Sequence, residues 1–144
     1  MPFHGIHDHT LDSKNRLTVP SKARALLATG VTVSKGFERC LQVWPSDDHT
    51  ALVTKAMGNV NPFDPRIRDL NRFFYGGTTQ LELDTAGRIA ITPEQLAHAG
   101  IAKAVKVVGA GPCLELWDEQ TWDDHNTDLH ARAADLIADV GNPA

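Results

Sequence analysis

The chain has 144 residues, of which 42% are hydrophobic and 22% charged, the ordinary balance of a globular domain with a substantial core. No apolar run approaches the roughly 18 residues that a membrane-spanning helix needs, and the amino terminus lacks the pattern of a signal peptide, so we predict a cytoplasmic protein. The net charge of -4 is uneven: residues 1–60 carry seven Lys/Arg and five Asp/Glu, whereas residues 81–144 carry four and eleven. The amino-terminal part can therefore offer a cationic surface to a polyanion although the whole chain is acidic.

Three histidines near the amino terminus, His4, His7 and His9, stand close to Asp8. Their chemistry would allow a metal site. Because no separated second pair of ligands accompanies them, we interpret this segment as an exposed first strand with solvated histidines. We predict no metal and no cofactor.

One motif occurs twice along the chain. Residues 11–20 read LDSKNRLTVP and residues 83–93 read LDTAGRIAITP. The match continues downstream, where residues 40–44 (CLQVW) align with residues 113–117 (CLELW) at an offset of 73. Such an internal repeat predicts two duplicated modules related by a pseudo-twofold axis.

Each copy opens with an Asp-x-x-x-Arg turn. The side-chain oxygens of Asp12 and Asp84 are suited to accept hydrogen bonds from the backbone N–H groups just ahead of them. Asn15 and Gly87, which precede the arginines, are the residue types that best tolerate a positive φ. We therefore assign structural roles in the turns to Asp12, Asp84 and Gly87, with possible pairing of each aspartate to an arginine.

The elements that follow each turn can also be predicted. Alternating apolar residues indicate a strand, and Pro20 and Pro93 then open short helices, the second with Thr92 as N-cap and Gln95 three residues later. Two further strands complete each copy. Each module thus reads strand, turn, strand, short helix, strand, turn, strand.

Longer helices follow the modules, at about residues 46–57, from 64–65 to 76–77, and at about residues 118–137. We predict Ser46 or Asp47 as the cap of the first. One face of the second carries Arg66, Arg68 and Arg72; we interpret it as solvated, in preference to contact with nucleic acid or an acidic neighbour. The predicted organisation is a first module with its trailing helix over 1–60, a connecting helix over 61–77, and a second module with a carboxy-terminal helix over 78–144.

The two cysteines, Cys40 and Cys113, occupy matched positions among apolar residues. They are predicted to be buried thiols in a reducing compartment, and the sequence leaves a disulfide between them open. The sequence contains no P-loop, metalloprotease, nucleophile-elbow or paired C-x-x-C motif, and neither cysteine has a histidine at an informative spacing. We therefore do not predict an enzyme.

The doubled motif, with the strand, proline and helix after it, resembles the MraZ family over nearly the whole chain. The matching segments are residues 12–17, 71–74, 84–89 and 114–118. The sequence departs from the family pattern at Asn15, where Gly is usual, and at Ala86, where Gln is common.

The resemblance implies a bacterial DNA-binding transcriptional regulator of the division and cell-wall gene cluster. It implies a β-rich α+β fold, in which two swapped-hairpin modules of the AbrB/SpoVT type form a double-split β-barrel with added helices. It further implies a homo-oligomeric ring that recognises short direct repeats in promoter DNA, associated with the nucleoid, with no membrane partner and no small-molecule substrate. Several weak modules on one ring would gain affinity through effective concentration.

Within this reading, we predict that the first module makes most DNA contacts, through Ser13, Lys14, Asn15 and Arg16 of the turn and Lys22 and Arg24 of the next helix. Arg16 is the candidate for reading guanine, and the other cations are candidates for phosphate contacts. Arg88 is expected to contribute less, because the residues around it are acidic.

Two other functions remain open. The chain could be a protein-interaction module of the antitoxin type, although those usually have one module and a disordered tail, whereas this chain has two modules and almost no tail. It could also form a structural ring without specific DNA binding.

Overall fold

The computed structural model describes residues 2–141 and has a mixed α+β fold rich in strands. The strands within those residues are β1 (Ile6–Thr10), β2 (Arg16–Thr18), β3 (Val31–Lys35), β4 (Cys40–Pro45), β5 (Thr79–Leu81), β6 (Arg88–Ala90), β7 (Ala104–Gly109) and β8 (Leu114–Asp118). The helices are α1 (Ser21–Arg24), α2 (Ser46–Met57), α3 (Pro65–Gly76), α4 (Pro93–Ala99) and α5 (Glu119–Gly141). The element order predicted for both modules is confirmed, with β1 to β4 in the first and β5 to β8 in the second.

The strands form a six-stranded sheet in the order β1-β7-β8-β4-β3-β5 and a separate two-stranded ribbon of β2 with β6. Exchanging each strand for its counterpart in the other module reproduces the same order read backwards. The sheet therefore has a pseudo-twofold axis between β4 and β8, and the ribbon has one between β2 and β6. The modules interleave, because β1 pairs with β7 and β5 pairs with β3.

The ribbon packs on one face of the sheet. Leu17 of β2 and Ile89 of β6 are almost inaccessible, and they share a hydrophobic core with Val43 and Leu116 of the two central strands. Burial of apolar side chains of this size contributes roughly 1.5–3 kcal/mol each. The two central strands and the ribbon therefore hold the modules together.

Helix α5 packs on the opposite face of the sheet. Successive residues of a strand point to opposite faces, so Trp117 faces away from Leu116. Trp117 contacts Trp122 of α5, with ring centroids 5.5 Å apart, and both side chains are buried. The sheet thus separates α5, with its many aspartates, from the β2–β6 ribbon.

The predicted cap of α2 was wrong. Strand β4 runs directly into this helix, so its N-cap is Pro45 and no side chain caps it. The hydroxyl of Ser46 instead shares a 2.9 Å hydrogen bond with Thr32 of β3. The other predicted helix starts are confirmed: Asp64 caps α3, and Thr92 with Gln95 forms a capping box at α4. Helix α5 begins at Glu119 and reaches Gly141, beyond its predicted end.

Cys40 and Cys113 are buried and free, as predicted for the thiols. The register of β4 with β8 closes the question of a disulfide between them. Cys40 lies opposite Trp117, which is four residues from Cys113 along β8. At 3.3–3.4 Å per residue this offset is about 13 Å, beyond the roughly 7 Å limit between the Cα atoms of a disulfide.

None of the helices within residues 2–141 is long and apolar enough to span a membrane.

Candidate nucleic-acid interface

The first Asp-x-x-x-Arg turn is built around the Asp12 carboxylate. One oxygen, Oδ1, accepts hydrogen bonds from the backbone N–H groups of Lys14 and Arg16, both at 2.9 Å. The other, Oδ2, accepts from Arg16 Nε at 2.7 Å. Asn15 adopts a φ of 56°, as predicted for the residue before the arginine.

The second turn repeats this arrangement around Asp84. Its Oδ1 accepts from the backbone N–H groups of Ala86 and Arg88, both at 2.9 Å, and its Oδ2 accepts from Arg88 Nε at 2.8 Å. Gly87 has a φ of 75°. Asp12 and Asp84 thus accept equivalent hydrogen bonds in the two turns, and Gly87 has the positive φ.

These hydrogen bonds fix both the charge and the orientation of each Asp–Arg pair. The pKa values of Asp12 and Asp84 lie below the ordinary range, first because of the backbone N–H groups of Arg16 and Arg88 and then because of their guanidinium groups. Within residues 2–141 each of these guanidinium groups makes its side-chain hydrogen bond through Nε. The two Nη groups, which form the fork that grips a planar acceptor pair, remain available to a ligand.

Pairing of β2 with β6 brings the two arginines to one surface. Arg16 lies opposite Ala90, and Thr18 lies opposite Arg88, while the intervening Leu17 points into the core. Arg16 and Arg88 are thus diagonal neighbours on the outer face of the ribbon, a relation that separates Cα atoms by roughly 7–8 Å. Each is partly exposed, at 30% and 32% of the side chain.

Each turn is also bonded to the strand of the other module. The backbone N–H of Val19, just after β2, donates to Gly87 at 2.9 Å, and that of Ile91, just after β6, donates to Asn15 at 3.0 Å. The two turns therefore cannot move independently of the ribbon between them.

The remaining predicted cations are distributed around the ribbon. Lys14 is exposed in the first turn beside exposed Ser13, and Lys22 is exposed on α1. Arg24 lies at the end of α1, on the predicted helix, and contacts the second turn as well. Its Nε donates to the carbonyl of Val19 at 3.0 Å, and its guanidinium lies against Gly87 of the second turn.

Other charged groups singled out in the sequence lie elsewhere. The arginines of α3 are exposed; Arg66 pairs with Asp64 and Arg72 with Asp69, both at 2.7 Å. The histidines near β1 do not form a group of three metal ligands. Among the described residues, the one such group of close ligand atoms is Glu38, Cys40 and Glu115.

The fold and this surface define a class of protein: a duplicated β-rich module whose two Asp–Arg turns lie on one face of a two-stranded ribbon. Comparison with known proteins identifies the family. The chain matches the family model described as "MraZ protein, putative antitoxin-like" over residues 3–70 and 74–137. The chain therefore belongs to the MraZ family, as its motifs predicted.

Curated relatives agree over almost the full length. The proteins named transcriptional regulator MraZ from Parafrankia sp. (strain EAN1pec) and Thermobifida fusca (strain YX) are each 35% identical over 138 residues, which is 96% of this chain and 96% of theirs. The protein of that name from Rhodococcus opacus (strain B4) is 38% identical over 120 residues, 83% of each chain.

We expect acidification to loosen both turns. The folded-state pKa values of Asp12 and Asp84 lie below the value of about 3.9 for an unstructured aspartate. The stability that these carboxylates contribute is therefore fully present above the unfolded pKa and is lost as pH falls through the lower folded pKa. Carboxyl ¹³C titration by NMR should give both aspartates values below 3.9.

The variant Arg16→Gln provides an internal control for this titration. It removes the guanidinium and keeps the backbone donors, so the pKa of Asp12 should rise part of the way towards its ordinary value while that of Asp84 stays in place. An Asp12 pKa that does not change in this variant would contradict the pairing.

Proposed function

We propose that this chain is a sequence-specific DNA-binding transcriptional regulator that acts as a ring on direct repeats in the promoter of the division and cell-wall gene cluster. The observation that carries the proposal is the pair of Asp-anchored arginines, Arg16 and Arg88, on one outer face of the β2–β6 ribbon. The names of the relatives, which are transcriptional regulators, support the regulatory role.

The ribbon suits the major groove of DNA, which is about 12 Å wide and admits a two-stranded β-ribbon. Each arginine is held through Nε, so its Nη groups can reach the O6 and N7 atoms of a guanine. Such a bidentate contact discriminates against the wrong base by roughly 1–3 kcal/mol. Because the two turns have matching hydrogen bonds, we assign base reading to Arg88 as well as to Arg16.

Exposed cations beside the ribbon would hold the DNA backbone. Lys14 extends from the first turn and Lys22 from α1. Lysines of this kind position a protein on phosphates without reading sequence. The acidic helix α5 lies across the sheet from the ribbon, so it is kept away from the DNA.

The exchange of strands between modules supports assignment to the swapped-hairpin, double-split barrel type. The strands β1 and β2 of the first module reach β7 and β6 of the second. The strands β5 and β6 reach back to β3 and β2 in the same way. A fold of this type would make the first and second halves inseparable in folding.

The exposed apolar side chains of α2 and α3 support the ring. No residue of either helix in the described chain is buried. The apolar side chains of Leu52 and Leu70 are 46% and 39% exposed. Isolated helices of 12 residues are marginal in water without tertiary packing. A second copy of the chain that covers these side chains would stabilise the helices and join several ribbons on one assembly.

The proposal is tested by fluorescence anisotropy with the duplex upstream of this protein's own gene and a scrambled duplex, over a salt series. We expect Arg16→Ala and Arg88→Ala each to weaken binding to the upstream duplex by roughly 10- to 100-fold, and binding to the scrambled duplex much less. Lys22→Ala should weaken both probes equally and reduce the salt slope by about one.

The matched control is Arg132→Ala, which removes an arginine that pairs with Asp128 on α5, across the sheet from the ribbon. It should leave both affinities unchanged. Equal weakening of both probes by Arg16→Ala and Arg88→Ala would contradict base reading. If wild-type protein binds no DNA at low salt, the ring would be structural, and a stoichiometric protein partner would favour the antitoxin-like role that the family description names.

Leu70→Glu tests the ring. A charge on the apolar face of α3 should be costly to bury against a second copy. We expect light scattering after size exclusion to show a smaller assembly, and affinity for a duplex with several repeats to fall to that for a single repeat. The control Ala134→Glu adds the same charge at an exposed position of α5 and should change neither quantity. A full-size assembly of Leu70→Glu would exclude the α3 face from the interface.

A further inference from the structure

Arg24 belongs by sequence to the first module and contacts both modules. It extends from α1, donates through Nε to the carbonyl of Val19 at 3.0 Å, and lies against the Cα atom of Gly87. Val19 in turn donates its backbone N–H to Gly87 at 2.9 Å. The guanidinium of Arg24 is thus held beside the backbone hydrogen bond that joins the first module to the second turn.

At two pairs of equivalent positions the first module carries a cation and the second module carries alanine. Lys14 of the first turn corresponds to Ala86 of the second, at an offset of 72. Arg24 of α1 corresponds to Ala97 of α4, at an offset of 73. The first turn therefore carries its own extra cation, whereas the second turn has none in its own sequence and receives one from the other module.

Gly87 makes room for this contact. A Cβ atom at that position would lie 2.6 Å from Cζ and 2.8 Å from Cδ of Arg24, closer than real side-chain contacts. Its counterpart is Asn15, whose carbonyl accepts from the backbone N–H of Ile91 in the second module; that module carries Ala97 at the position equivalent to Arg24. The absence of a side chain at Gly87 thus serves the approach of Arg24 as well as the positive φ of the turn.

We propose that Arg24 is a specificity-determining residue of the second turn: it positions the Asp84–Arg88 turn from across the pseudo-twofold axis and supplies a second cation, which this turn's own sequence lacks. Each turn then meets DNA with one anchored arginine and one additional cation, Lys14 for the first and Arg24 for the second. The inference rests on the proposed DNA-binding function and assigns the source of each turn's charge.

The test is a panel of duplexes in which each base pair of one promoter repeat is substituted in turn. The full-length protein and its variants are titrated with every duplex. Arg88→Ala should relax discrimination at one set of base pairs and Arg16→Ala at another. We expect Arg24→Ala to weaken binding to the natural repeat roughly 5- to 20-fold and to relax discrimination at the Arg88 set.

Coupling gives a second readout. Residues that act through one contact have non-additive effects, whereas independent residues have additive ones. Arg24→Ala should therefore have a smaller effect in the Arg88→Ala background than in wild type, by at least about threefold, and its full effect in the Arg16→Ala background. Arg24→Gln, which keeps a donor for Val19 and loses the charge, serves in the same measurements should Arg24→Ala fail to fold.

The matched control is Lys22→Ala, which removes a cation from the same helix and should relax discrimination at no base pair. Relaxation at the Arg16 set by the Arg24 variants, or at no set, would overturn the inference while leaving DNA reading intact. A wild-type protein that binds every duplex of the panel equally would instead overturn the proposed function itself.

Discussion

The antiparallel pairing of β2 with β6 determines where both Asp–Arg turns lie. Each strand has only three residues, and its central side chain, Leu17 or Ile89, is buried in the shared core. The residues on either side of it must then face outward, so Arg16 and Arg88 share one surface. A slip of one residue would turn both arginines inward and both core residues outward. The register that buries Leu17 and Ile89 therefore also determines the geometry of the site.

The six-stranded sheet separates the acidic helix α5 from the arginine turns. Its ribbon-side face holds the aliphatic core, and its other face holds Trp117 and Trp122 under α5. The net charge of the whole chain is -4, but the acidic helix and the arginine turns lie on opposite sides of a layer that excludes water. Salt at physiological strength screens charges that lie more than about 8 Å apart, the Debye length. The thickness of the sheet therefore reduces the repulsion that α5 would exert on a polyanion at the ribbon. An acidic protein can in this way present its arginine turns apart from its most acidic helix.

The sequence predicts features that depend on neighbouring residues. The Asp12 and Asp84 turns, the positive φ of Asn15 and Gly87, and the Thr92 capping box follow from local hydrogen bonding, and the structure confirms them. Partners far apart in the chain are not contained in any local pattern. The register of β2 with β6, the approach of Arg24 to Gly87, and the use of the Ser46 hydroxyl by Thr32 arise only when distant strands pair. The doubled motif indicated the pseudo-twofold axis. Only the pairing of β2 with β6 shows that the two turns related by this axis present their arginines on one face.

Affinity cleavage from the two turns tests the central claim, that both turns face one stretch of DNA. Ser13→Cys and Thr85→Cys put a thiol at equivalent exposed positions, and a thiol-reactive iron chelate attached there cuts nearby DNA. The native thiols should not compete, because burial raises the pKa of Cys113 to about 12 and also raises that of Cys40. The account predicts cuts from both variants within the same promoter repeat, displaced by a few base pairs. Cuts from Ser13→Cys alone would show that only the first module meets DNA and would contradict the account.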